Sequence, residues 1–303
     1  MGAEHDLPTA FQAYNREETA QARAAGPGKN GVLEARLVAG PNGTRLFEDL
    51  VKVPFHLTGP LSPSDDPACS VYIQSPTGGL AQGDRQRMAF TVGPDACGSI
   101  TTQSATKVHR MDRNYGRIET SFSIGTDGYL EYIPDPTILN AGSRLFQTTD
   151  LTLERGATAI LADVISPTGM TDDAPYDFER LYARLSVRDV ARDRQLVTDT
   201  VHCAPGDRDP RGPGAFGDYD AFGTLYAIDP DGDTERLASR IHDRLDSDDE
   251  TVLAGSSILP YDAGVSVRVL GESVAGVTDT VHAAWDTARI ATLGTPAPDH
   301  RKY

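Results

Sequence analysis

The chain has 303 residues and a mass of 32.5 kDa, enough for one large domain or two modest ones around a sizeable core. Its net charge of −16 makes a surface that repels phosphate backbones and argues against nucleic acid as a partner. The acidity comes from 32 aspartates and 12 glutamates, set against 24 arginines and only 4 lysines. An Asp-heavy, Lys-poor surface reads as adaptation to a high-salt cytoplasm, where screening removes its self-repulsion, with an acidic protein from a GC-rich genome as the plainer alternative.

Residues 1–31 are polar and are read as a separate N-terminal segment, with one short helix predicted over "FQAYNREETAQARAA" and ended by "GPGKNG". The opening "MGAEHDLPTA" has neither the basic nor the apolar region of a signal peptide, and Asp6 stands where a myristoylation motif needs Ser or Thr. No apolar run approaches a membrane span. Cys69, Cys97 and Cys203 are odd in number and far apart, which fits a reducing compartment. The expectation is a soluble cytoplasmic protein.

From Val32 to the C-terminus one β-rich domain, 32–303, is expected. "VLEARLVA" and "TRLFEDLVKVPFHL" flank Pro41-Asn42-Gly43, a hairpin signal. Short Thr-, Val-, Ile- and Tyr-rich runs follow roughly every 10–14 residues: "ACSVYIQ", "RQRMAFTV", "SITTQSATKVHRM", "RIETSFSIG", "GYLEYIP", "SRLFQTTDLTLERG" and "ATAILADVIS". In "RIETSFSI" the residues Ile118, Thr120, Phe122 and Ile124 share one face. With no helix between the runs, antiparallel pairing is expected. The strands continue through "FERLYARLSVRD", "RQLVTDTVHC" and "FGTLYAID", the last two separated by a Gly/Pro/Asp-rich loop over 204–220. Near the C-terminus "DTERLASRIHDRLDS" places Leu237, Ile241 and Leu245 on one helical stripe. A second helix from about Glu272 aligns Val274, Val277, Val281, Ala284, Trp285 and Ala288 for packing on the sheet.

The run "SPTGGLAQGD" follows a strand and carries three glycines, the way nucleotide-binding loops begin. Its chemistry fails that test. Asp84 follows Gly83 where a phosphate loop needs Lys, and the next segment is strand, so no helix N-terminus faces an anion. Gly78, Gly79 and Gly83 are read instead as a structural turn. The seven histidines form no HxH or HExxH, and His202-Cys203, neighbours on a strand, point to opposite faces. No tight metal site is expected. Acidic pairs such as Asp172-Asp173 and Asp248-Asp249 read as solvated loop carboxylates. No GxSxG elbow is present. A β-rich hydrolase using a carboxylate pair needs no sequence motif and stands as the alternative reading. A plain binding module is a third, weighed down by the lack of a secretion signal.

The blocks "PACSVYIQSPTGGLAQGD", "GSITTQSATKVHRM" and "GYLEYIPDPTILNAGSRLFQTTDLTLERGATAIL" together resemble the UreD (UreH) family of urease accessory proteins, and "GVSVRVLGESV…AAWDTARIATLGTPAP" resembles its closing arginine strand and tryptophan helix. The likeness departs in two places. "SPTGMTDDAPYDFERL" replaces the family's Gly-Arg…Gly-Glu-x-Phe segment, and residues 204–220 have no matching counterpart. The resemblance implies a mainly β fold, a superhelical stack of strands in one domain with a few helices, two of them near the C-terminus. It implies a non-catalytic scaffold that binds UreF, through it the GTPase UreG, and apo-urease, handling nickel transiently and binding no cofactor tightly. Polar residues expected along a nickel path or facing a partner are Asp84, Thr102, Lys107, Glu131 and Asp135, and Trp285 and Arg289 are candidates for a partner-facing helix.

Overall fold

The computed structural model describes residues 7–18, 29–59, 66–76, 78–169, 174–246 and 250–298. The chain enters with helix α1 (Thr9–Asn15) and the hairpin β1 (Asn30–Gly40) and β2 (Gly43–Val51). Pro41 and Asn42 form the two-residue loop, because Gly40 pairs with Gly43, and Gly43 takes the positive φ of 101° that the turn needs. A short strand β3 (His56–Thr58) follows.

The body is a coil. Strands β4 (Cys69–Gln74), β5 (Arg85–Val92), β6 (Cys97–Thr102), β7 (Thr106–Val108), β8 (Gly116–Ile124), β9 (Tyr129–Tyr132), β10 (Thr137–Leu139), β11 (Arg144–Leu153), β12 (Thr158–Ser166) and β13 (Arg180–Asp189) alternate between two facing sheets. In one, β5, β8, β11 and β13 are parallel neighbours. In the other, β4, β6, β9 and β12 are parallel neighbours, and β7 and β10 form a narrow third side. This corrects the expected antiparallel pairing. A parallel connection needs a crossover, usually a helix, but here the crossover is itself a strand of the opposite sheet. The spacing of the runs is the same for a hairpin and for half a coil.

Antiparallel strands appear where the coil is capped. β14 (Arg194–Cys203) closes one sheet beside β13. β15 (Ala221–Ile228), β16 (Val252–Ile258) and β17 (Gly264–Gly271) extend the other beyond β12. Helices α2 (Thr234–Leu245) and α3 (Val274–Leu293) cover the outside of that extension. Each has a side-chain N-cap: the Asp233 carboxylate accepts from the Arg236 N–H at 3.1 Å and the Ser273 hydroxyl from the Gly276 N–H at 3.1 Å. Leu237, Ile241, Val277, Val281, Ala284, Trp285 and Ala288 are all buried as their spacing predicts, and Leu245 is partly buried against them. A Cβ at Gly223 would lie 2.8 Å from both Val277 and Val281, so the bare β15 backbone sets how closely α3 approaches.

Helix α1 ends at Asn15, sooner than the sequence predicts: residues 16–18 are not helical, and the remainder of that prediction, 19–25, lies outside the described residues. It is pinned on the outer face of the β5–β14 sheet by Phe11, fully buried edge-on against Tyr115 and Phe146 at centroid distances of 5.1 and 5.3 Å. The loop over 204–220 is anchored too. Phe216 stacks on Phe222 at 4.7 Å, and Arg211 pairs with Asp220 and lies over Tyr176.

Candidate functional site

Between the two sheets the apolar filling stops halfway along the strands. Phe90, Phe122, Leu151 and Val187 stand side by side on β5, β8, β11 and β13 and are enclosed. Nearer the start of the same strands, the inward rungs are Met88, Thr120, Thr149 and Leu185, then Gln86, Ile118, Gln147 and Ala183. These line an elongated cavity with about 180 Å³ open to water-sized molecules. Ile118, Thr120, Phe122 and Ile124 do share the inward face, but the first two face the cavity and the last two the core. Threonines and glutamines at inward positions leave the space unfilled and set polar groups into an otherwise mostly apolar wall. The cavity crosses five neighbouring strands, β5 to β14, which at about 4.8 Å each makes it about 20 Å long.

The opposite wall carries Thr102, Tyr132, Leu161, Asp163, Thr224 and Tyr226. Ser75, Gly78 and Ser104, all exposed, mark one mouth. At the other, Asp199 of β14 accepts from the Tyr226 hydroxyl and is ion-paired with half-exposed Arg268 of β17. Midway, the Gln147 amide reaches across from the other sheet and donates to Asp163 at 2.7 Å. Asp163 is half-buried, its remaining surface on the cavity. Burial pushes its carboxyl up to about 6, against the opposing hydrogen bonds from Gln147 and the Val164 N–H.

Of the residues the sequence singled out, Thr102, Lys107 and Asp135 come together at the first mouth, with Gly78 and Gly79. The Thr102 hydroxyl accepts from the Asp135 N–H at 2.8 Å. Asp84 does not join them. Its carboxylate is buried in the corner of the glycine turn, accepting from the Lys29 N–H at 2.8 Å and the Ala81 N–H at 2.9 Å. Glu131 is also elsewhere, because it alternates with cavity-facing Tyr132 and so points to the other side of β9. There it accepts from the Trp285 indole at 2.9 Å and from Arg289 at 3.0 Å, and Arg289 reaches on to Asp66 at 2.6 Å. Trp285 and Arg289 are 2% and 1% exposed, which corrects the partner-facing expectation: the tryptophan face of α3 is the face that docks on its own sheet.

Asp163, Gln147, Asp199 and Arg268 escaped the sequence reading. Only Asp163 had a local signal, a lone carboxylate in the apolar run "ATAILADVIS". The pairs Asp172-Asp173 and Asp248-Asp249 both lie outside the described residues. His202 points outward to Arg180 while Cys203 is buried, opposite faces as expected. Burial raises all three thiols, Cys97 to about 12 with Glu131 adding to the effect and Cys203 to about 11. They stay protonated at neutral pH and are poor thiolate ligands.

The glycine turn is built tightly against the first mouth. Gly79 has φ of 131°, and a Cβ there would press on the Lys107 carbonyl oxygen, which already accepts from the Leu80 N–H at 2.7 Å. Gly79→Ala is therefore expected to lower stability by about 1–3 kcal/mol and to shift the Lys107 strand, read by denaturant unfolding and by amide exchange at Leu80.

Residues 29–302 match the family model described as UreD urease accessory protein. The chain belongs to the UreD family. UreD proteins named as urease accessory proteins align along its whole length. The relative from Natronomonas pharaonis is 47% identical over 98% of this chain and 99% of its own, and that from Haloarcula marismortui 43% identical over all of both. The UreD of Yersinia enterocolitica is 29% identical over 95% of the chain and 91% of its own length. The archaeal relatives come from halophiles, in keeping with the Asp-rich, Lys-poor composition. As a UreD, the chain serves urease maturation and is not itself an enzyme. The alternative of a carboxylate-pair hydrolase accordingly falls. No described helix is long and apolar enough to cross a membrane.

Proposed function

We propose that the cavity of this UreD chain is a passage for nickel on its way to apo-urease, with UreF docked on the chain and UreG, the GTPase, recruited through UreF. The observation that carries this reading is the cavity itself, threaded along the coil, its largely apolar wall interrupted by single carboxylates, threonines and glutamines. Oxygen donors hold Ni²⁺ more weakly than thiolate or imidazole sets and exchange it readily. Among the described residues no three His, Cys, Asp or Glu side chains are grouped to hold a metal ion, and the buried thiols are protonated. Isolated oxygen ligands along a water-filled path are the arrangement a moving divalent cation requires. Asp135 and Thr102 at one mouth, Asp163 in the middle and Asp199 at the other form the sequence of stations.

The reading is tested by deleting the gene in its host. Urease protein should accumulate to normal levels while its nickel content and activity fall to background. Normal urease activity in that strain would overturn the proposal. A pull-down with UreF checks the first partner.

A further inference from the structure

The second mouth has a feature that a simple cation path does not need: a positive charge of its own. Asp163, Thr224 and Arg268 are successive partners across β12, β15 and β17, so their side chains stand in one row from mid-cavity to the mouth. Across from that row, β14 presents Asp199 at the rung that continues Met88, Thr120, Thr149 and Leu185. The Asp199 carboxylate takes the Tyr226 hydroxyl and the Arg268 guanidinium on one oxygen, and this pair bridges the two sheets where the cavity meets solvent. Lys107 lies at the other mouth, and Arg184 of β13, between the inward residues Ala183 and Leu185, also contributes to the lining. What sets Arg268 apart is its ion pair with Asp199, a carboxylate of the lining itself.

We propose that Arg268 is a tethered counter-cation. It occupies Asp199 in place of a divalent metal, closes the β14–β17 mouth, and keeps the Asp163–Asp199 segment from retaining the ion that passes through. The guanidinium and a divalent cation compete for the same carboxylate oxygens, and a half-exposed ion pair separates readily in concentrated salt. A passing cation can therefore displace Arg268 and be displaced by it in turn. Without Arg268, the mouth would keep Asp199, Tyr226 and Thr224 as oxygen donors, with Asp163 behind them, and nothing to expel a bound metal. The inference rests on the reading of the cavity as a cation path.

The test is equilibrium binding of Ni²⁺ to the purified full chain in molar KCl. The Arg268→Gln chain should bind one Ni²⁺ about two- to fivefold more tightly than the unaltered chain, the scale of removing one competing half-exposed ion pair. The Arg268→Gln, Asp199→Asn double variant should return to the unaltered affinity. Equal affinity of Arg268→Gln and the unaltered chain overturns the proposal, and so does tight binding that survives loss of Asp199. If Arg268→Gln does not fold, Arg268→Lys, which keeps the charge without the planar fork, should show a smaller gain, and no gain there overturns the proposal equally. Failure of the path reading is seen separately. A Thr149→Trp chain, blocked mid-cavity, that still matures urease at the normal rate removes the path while leaving the nickel-binding result at Arg268 standing.

Discussion

Asp163→Asn is expected to make the chain more stable at neutral pH and worse at its task. The folded state holds this carboxyl at about 6 against an ordinary 3.8, so folding favours the protonated form. That favourable contribution is complete below pH 3.8 and is lost as pH rises through 6. A shift of this size corresponds to about 3 kcal/mol, reduced to about 1–3 kcal/mol by water in the cavity. The amide has no charge to lose. It should therefore exceed the unaltered chain in stability by that amount at pH 7–8, with the advantage vanishing toward pH 4, and Gln147 can turn its own amide to keep the cross-cavity hydrogen bond. Denaturant unfolding of both chains at pH 4 and 7.5 in molar KCl measures it. Nickel delivery should move the other way. Losing the one carboxylate midway along the passage should lower the nickel content of co-expressed urease about tenfold, the worth of one charge-assisted ligand, with urease abundance unchanged. Equal stability at both pH values would contradict the buried-carboxylate argument, and full nickel loading would contradict the role in the passage. A stability gain joined to a functional loss marks a residue kept for its task.

The second large effect concerns the cluster that fastens α3. Arg289 is enclosed between Glu131 and Asp66 and also donates to the Pro296 carbonyl. Replacing it by Ala leaves two carboxylates in an apolar surround. Breaking a buried pair from one side costs about 3–5 kcal/mol, and the melting temperature should fall accordingly. Burial already pushes Glu131 up, against the pull of Arg289 and the Trp285 indole. Without Arg289 it should rise further, so the damage should be greatest at pH 7–8 and shrink as pH falls toward the ordinary Glu value of 4.5, with Glu131 taking up a proton on the way. Arg289→Met combined with Glu131→Gln and Asp66→Asn should recover much of the loss, because no carboxylate of the cluster is then left without its arginine. A loss independent of pH would instead assign the role to the packing of the arginine stem against α3.

Much of this was legible in the residues. Period-2 alternation, Thr/Val/Ile/Tyr content and Gly-rich corners mark the strands because a half-buried pleat requires them locally. The stripes through Leu237 and Ile241 and from Val277 to Ala288 mark both C-terminal helices for the same kind of reason. The nucleotide reading of "SPTGGLAQGD" fails on local chemistry alone, since Asp84 and the strand after it cannot hold a phosphate. The blocks shared with UreD proteins carried the family and, with it, the stacked coil.

The rest depended on what lies next to what. Whether successive runs pair with each other or with the runs two along is a matter of where each turn sends the chain, which strand composition does not encode. Glu131 and Tyr132 are adjacent polar residues of equal promise, and only the orientation of β9 sends one to an ion pair under α3 and the other to the cavity. Asp163 and Asp199 are ordinary aspartates in sequence. Enclosure between two sheets shifts the first, and a strand from the far side of the coil brings Arg268 to the second. The sequence by itself determined the strands, the helix faces, the acidic surface and the family, because these are set by neighbours along the chain. The cavity, the enclosure of Asp163 and the Asp199–Arg268 pair were decided by the tertiary structure, because dielectric and charge pairing depend on groups tens of residues apart.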